Sequence, residues 1–192
     1  MSVRRMTVSL ATILIGGSII GAGQTLSTRT PAVVQLTTQI NSEKIGAGTT
    51  VLTKLAEKVR LPDGTSIPQG SEIIGIVTSG LSSASHNPQL TFRFSQLNLK
   101  KHGALPIRAT VLFVATQQFP QSSNPSVLET PLQVSKSLSN RPDKFLVQNV
   151  LPGIDLQGDA TTEDSGILVS KQGKKISLPM WTKLELGIAV AQ

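Results

Sequence analysis

The sequence predicts a mainly β fold: a single β-barrel or β-sandwich-like domain following an N-terminal hydrophobic signal helix. Three observations predict it. Leu90, Phe92 and Phe94 alternate with Thr91, Arg93 and Ser95, and Leu105, Ile107, Ala109, Val111 and Phe113 repeat that period of two. Turn chemistry separates such runs, as in Pro62-Asp63-Gly64-Thr65 and Ile67-Pro68-Gln69-Gly70-Ser71. Beyond the N-terminal apolar run there is no long amphipathic helix, no heptad pattern and no repeat of fixed period.

The N-terminal run comes first. Arg4 and Arg5 precede an uncharged stretch, Met6 to Thr28, that carries Leu10, Ile13, Leu14, Ile15, Ile19 and Ile20 and fades into Gly21-Ala22-Gly23. A positive start, an apolar middle and a small-residue end make a secretory signal pattern. The apolar part is short of the roughly 20 residues a spanning helix needs, and Gly16, Gly17 and Ser18 interrupt it. Residues 1–23 are therefore expected to be a signal peptide cleaved after Gly23, residues 24–31 a short linker and residues 32–192 the β-domain. The alternative is an uncleaved anchor, oriented by Arg4 and Arg5 and touching the membrane through residues 6–23. No cysteine follows the run, so a lipoprotein anchor is excluded.

The strands then follow in order. Ala32 to Ile40 is rich in Val, Leu and Thr, and Thr49 to Leu61 alternates loosely before the first turn. Ile73-Ile74-Gly75-Ile76-Val77 is apolar at successive positions, which predicts a strand buried on both faces. Gly75 there permits a bend or a close backbone approach. A polar loop from Leu81 to Gln89 leads to the strand at Leu90. Its apolar phase slips at Ser95-Gln96 and resumes at Leu97 and Leu99, which predicts a β-bulge. Lys101-His102-Gly103 turns the chain into the facing strand, 105–113, to complete a hairpin. Residues 117–143 read as an irregular polar excursion, and Phe145 to Val150 as a strand. Leu156 to Ser165 reads as a polar, acidic loop. A strand pair follows, Gly166 to Ser170 and Ile176 to Leu178, turning at Lys171 to Lys174. The last strand sets Leu184, Leu186, Ile188 and Val190 on one face, as expected of a strand that closes a sheet or barrel.

Composition bounds the chemistry. There are 192 residues and no cysteine, so disulfides, thiol nucleophiles and thiolate metal sites are excluded. The net charge is +7, which suits anionic partners in general. The close cationic runs, Lys100-Lys101 and Lys171 with Lys174-Lys175, fall at turns. With one Trp and no Tyr the chain offers few rings for stacking, so no specific nucleic-acid binding is expected. His86 and His102 lie in loops without the spacing of a metal site or an orienting partner for a base. Asp159, Glu163 and Asp164 could bind Ca²⁺ but lack the regular spacing of a calcium loop. Asp63 belongs to a turn. No Gly-x-Ser-x-Gly, Ser-x-x-Lys, Walker or dinucleotide pattern is present. The expectation is a non-enzyme with no catalytic, cofactor or metal residues.

One stretch resembles a known family. Leu36-Thr37-Thr38-Gln39-Ile40-Asn41-Ser42, Gly48-Thr49-Thr50-Val51, Ile67-Pro68-Gln69-Gly70-Ser71-Glu72-Ile73-Ile74-Gly75 and the strand Leu90 to Leu99 are similar to the periplasmic β-barrel domain of TrbI-type scaffold subunits of conjugation and type IV secretion machines. The match rests mainly on Pro68, Gly70, Ser71 and Gly75, and Lys175 to Val190 resembles the family's closing strands. The segment from Gly166 to Leu186 also resembles uncharacterised secreted bacterial proteins with the same β-domain. The resemblance implies a barrel in the bacterial cell envelope, periplasmic or secreted. Its implied role is structural or binding, toward envelope proteins or further copies of the chain. A reduced scaffold subunit of a secretion system is the alternative.

Overall fold

The computed structural model describes residues 29–80, 87–99, 103–115 and 141–191. The expected signal peptide, His86, His102 and nearly all of the 117–143 excursion lie outside them. Thirteen strands run through the described residues. The first seven are β1 (Thr30–Leu36), β2 (Ile40–Asn41), β3 (Thr50–Leu55), β4 (Val59–Arg60), β5 (Ser66–Ile67), β6 (Glu72–Ser79) and β7 (Gln89–Leu99). They are followed by β8 (Gly103–Ala115), β9 (Lys144–Leu151), β10 (Ile154–Asp159), β11 (Gly166–Ser170), β12 (Ser177–Leu178) and β13 (Lys183–Val190).

Six of them close a barrel, which decides between the barrel and sandwich expectations. β6 pairs β3, β3 pairs β1, β1 pairs β13, β13 pairs β8, β8 pairs β7, and β7 returns to β6, all antiparallel. Closure leaves no free edge in the ring. The interior is filled by alternate side chains, among them Val34, Leu36, Ile73, Val77, Leu90, Leu97, Val111, Leu184, Leu186 and Ile188. The expected closing strand does close it: β13 lies between β1 and β8.

The residues that carry the family resemblance build one joint. Gly70 takes φ 76, which only a residue without Cβ adopts freely. Its N–H donates to the Leu55 carbonyl at 2.8 Å, and the Leu55 N–H donates to the Ser71 carbonyl at 2.8 Å. The turn is thus tied back to the end of β3 before β6 begins. Gly75 then lets β7 approach: a Cβ there would stand 2.6 Å from both the Arg93 carbonyl oxygen and Phe94 Cδ1. The expected bulge is present in β7. Ile74 pairs Gln96 while Gly75 pairs Phe94, leaving Ser95 extra, so that Phe94 and Leu97 both face the core.

Four expectations are corrected. β6 is not buried on both faces: Ile73, Gly75 and Val77 point inward, and Ile76 is 38% exposed, because a barrel wall has one wet side. In β8 the period of two breaks. Leu186 pairs Val111 and Glu185 pairs Phe113, so a bulge at Leu112 hands the next core position to Val114 instead of Phe113. The supposed loop from Leu156 is strand β10, where Ile154, Leu156 and Gly158 alternate inward between polar residues. The strand pair around Lys171 to Lys174 is not a hairpin: β11 pairs β10 and β7, whereas β12 pairs β2.

The strands β9, β10 and β11 form a branch. The C-terminal half of β7 pairs β8, from Gln96 with Pro106 to Leu99 with Gly103. Its N-terminal end pairs β11 instead, from Gln89 with Val169 to Phe92 with Gly166. Ser165 fills the fork. Its N–H donates to the Phe92 carbonyl at 2.7 Å, its carbonyl accepts from Val111 N–H at 2.6 Å, and its hydroxyl accepts from Phe94 N–H at 2.8 Å.

Candidate functional site

The acidic residues singled out from the sequence lie on this branch, and each is held by a cation, Arg93 being shared by Glu163 and Asp164. Asp159 accepts from the Thr161 N–H at 2.9 Å and its hydroxyl at 2.5 Å, with Lys144 Nζ at 3.2 Å. Burial disfavours its charged form, but the Thr161 bonds and Lys144 outweigh it, and the carboxyl sits below the usual carboxylate range. Glu163 pairs Arg93 at 2.9 Å. Asp164 accepts from Arg93 at 3.3 Å and from the Thr78 hydroxyl at 3.1 Å. The three carboxylates therefore hold the 160–165 loop onto β9, β6 and β7 and do not converge on one point. Among the described residues no three metal-ligating side chains gather. Asp155 has a comparable structural task. It accepts from the N–H of Asn149, which has φ 51, at 2.8 Å, and from Lys171 Nζ at 3.0 Å.

Above the branch lies an open cleft of about 560 Å³, lined by Lys144, Leu146, Gln157, Asp159, Asp164 and Ile167. Leu146 is 52% exposed on its rim. The floor is apolar, and the carboxylates around it are tied to Lys144 and Arg93. That surface can hold a partner's side chains. β9 is the outermost strand of this sheet among the described residues.

Arg29 ties the start of β1 to the same branch. Its guanidinium donates to the Thr110 hydroxyl at 2.5 Å and to the Ala160 carbonyl at 2.7 Å. Burial first, then Arg108, lowers its pKa to about 10, with Asp143 acting in the opposite direction. It stays charged at neutral pH. Beneath it Leu112 and Ala160 form a small second core against Phe145, whose ring carries the Arg141 guanidinium 4.7 Å above its centre.

A second exposed feature interrupts a long ribbon. β1 and β13 pair up to Gln35 with Lys183, and pairing resumes at Ile40 with Leu178 between β2 and β12. Residues 37–39 and 179–182 form an irregular kink between them, with Thr182 buried and its carbonyl accepting from the Leu36 N–H at 2.9 Å. Trp181, at φ 71, donates its N–H to the Leu36 carbonyl at 2.9 Å, and the Thr182 N–H and hydroxyl donate to the Pro179 carbonyl at 3.1 and 2.7 Å. Met180 and Trp181 are 48% and 45% exposed. Trp181 enters the sequence reading only as an argument against a stacking surface. The signal that could have found it is a lone Trp inside a turn.

No family model matches the chain, and no curated protein matches it. Among solved structures it is similar to ComB10 of the Com type IV secretion system of Helicobacter pylori, at 13% identity, with 83% of this chain and 85% of that chain covered and a TM-score of 0.38. This is a distant structural match.

Proposed function

We propose that the chain is a non-catalytic β-barrel domain of the bacterial cell envelope, exported by residues 1–23, that works as a TrbI-like scaffold by holding other proteins. One observation carries the reading. Gly70 and Gly75, with Pro68 and Ser71 the residues on which the sequence resembles that family, occupy the joint that ties β3 to β6 and lets β7 close on it. Their roles are backbone roles, so they speak for a barrel scaffold and assign no chemistry. The paired state of Asp159, Glu163 and Asp164 supports a structural task for the acidic loop.

A simpler binding domain without assembly partners is the second reading, favoured by the open cleft beside β9. A photo-crosslinker placed at Leu146 in the exporting cell separates the two. The scaffold reading expects discrete crosslinks to envelope proteins or to a second copy, from a chain that fractionates with the envelope. A monomer on sedimentation at high concentration, without such crosslinks, leaves the binding-domain reading. A chain that stays in the cytoplasm sinks both.

A further inference from the structure

We propose that the kink at residues 37–39 and 179–182 is a membrane-surface contact, with Trp181 and Met180 seated among the headgroups of an anionic bilayer. It rests on the envelope reading for access to lipid, and goes beyond it.

Neither the backbone nor the core accounts for the residue at position 181. Its φ of 71 is the left-handed conformation that favours glycine, yet the position holds the one Trp of the chain. The side chain does not repay this by burial, since nearly half of it faces solvent. Such strain, fixed by surrounding hydrogen bonds, is characteristic of places kept for function. The bonds to Leu36 and Pro179 hold the turn in place with Met180 and Trp181 both exposed on it. Leu52, 38% exposed, lies beside the opposite arm, where its carbonyl accepts from the N–H and hydroxyl of Thr37, both at 3.0 Å. Of the five large exposed hydrophobic residues described, two, Met180 and Trp181, are adjacent at this kink.

The surrounding charge selects the partner. The ribbon of β2 and β12 runs from the kink to exposed Lys44, Lys174 and Lys175. Lys183 follows the turn, and Lys54 pairs Gln35 on the next strand. The neighbouring carboxylates are Glu43, at 4.0 Å from Lys175, Glu72, opposite Lys54 on β6, Glu57, three residues beyond Lys54 and followed by Lys58, and the buried Glu185 on the strand of Lys183; Asp155 is occupied by Lys171. Cations predominate around an apolar tip. A protein partner of ordinary affinity covers roughly 800 Å² per side with a shaped pocket, whereas this tip is two adjoining side chains projecting from a turn. A bilayer interface conforms to any shape, favours Trp at headgroup depth and lets Lys stems reach lipid phosphates.

The test reads the emission of Trp181 in the full chain, which has no other Trp and no Tyr. Vesicles of phosphatidylcholine containing phosphatidylglycerol are compared with phosphatidylcholine alone, each also with acyl chains brominated near the headgroup. The expected result is a blue shift and bromine quenching on anionic vesicles. Lys174→Gln with Lys175→Gln weakens that response by about tenfold or more, since each lysine beside an anionic leaflet contributes about fivefold. Emission unmoved by saturating anionic vesicles overturns the proposal, even where residues 6–23 carry the chain onto them. A shift equal on neutral vesicles overturns it as well. So does emission that moves with protein concentration in the absence of lipid, which assigns the kink to contact between copies. None of these readouts depends on export, so this proposal and the envelope reading fail separately.

Discussion

Arg29 and Ala160 are 131 residues apart in the chain, and the Arg29 guanidinium donates to the Ala160 carbonyl at 2.7 Å. The bond joins the first described residue to the branch built from the C-terminal third. Arg29→Ala is expected to cost about 2–3 kcal/mol, the range for a buried charged donor serving neutral acceptors. Arg29→Lys recovers part of this at most, because one ammonium cannot reproduce the planar fork. Urea unfolding of the variants measures it; a loss under about 0.5 kcal/mol, the ordinary effect of a surface change, removes the tie from the list of structural contacts.

Gly75 and Gly158 both lie against an aromatic ring, with different consequences. A Cβ on Gly75 meets the Arg93 backbone as well as Phe94, and the backbone of a closed barrel cannot give way. The atoms nearest a Cβ on Gly158 all belong to the Phe145 ring, which sits on the outermost strand of the branch. Gly75→Ala is expected to destabilise by about 1–3 kcal/mol and Gly158→Ala by less. Equal losses in thermal unfolding contradict the difference.

Ser165 is buried at the fork and satisfies the Phe94 N–H through its hydroxyl. Ser165→Ala leaves that donor without its partner, at a cost of about 1–3 kcal/mol. Hydrogen exchange at Phe94 is expected to accelerate in the variant, and unchanged protection there refutes the assignment.

Asp155 gives the fold an acid-sensitive point. The Asn149 N–H bond lowers its pKa; burial acts against this, and Lys171 lowers it further, so the folded value lies below the unfolded one. Its contribution is therefore present in full above the ordinary carboxylate pKa of about 3.9 and is lost as pH falls through the folded value. The stability gap between the native chain and Asp155→Asn should be constant at neutral pH and close in acid. A gap that widens as pH falls has the wrong sign.

Position 181 separates strain from packing. Trp181→Gly is expected to be more stable than Trp181→Ala by about 1 kcal/mol, the cost of a left-handed conformation with a Cβ. A less stable glycine variant means that the turn relaxes when the indole is removed.

Much of the barrel was legible because its signals are local. The period of two in β7, the Ser95 bulge and the turn glycines Gly64 and Gly70, at φ 88 and 76, are each written within a few residues. What was missed depends on distant partners. The bulge at Leu112 exists because β8 must match β13, some seventy residues on. β10 was hidden because Asp155, Gln157 and Asp159 dominate its composition, although Leu156 is completely buried. The acidic loop looked free because Arg93, the cation that holds Glu163 and Asp164, lies in β7. Trp181 escaped notice because nothing about an indole announces a positive φ.

The place of β13 between β1 and β8 has a consequence for timing. The ring stays open until residues 183–190 have been synthesised and delivered, since no earlier strand can stand in for the seam. The other five strands of the ring therefore cannot lock into a closed cylinder before the last strand arrives.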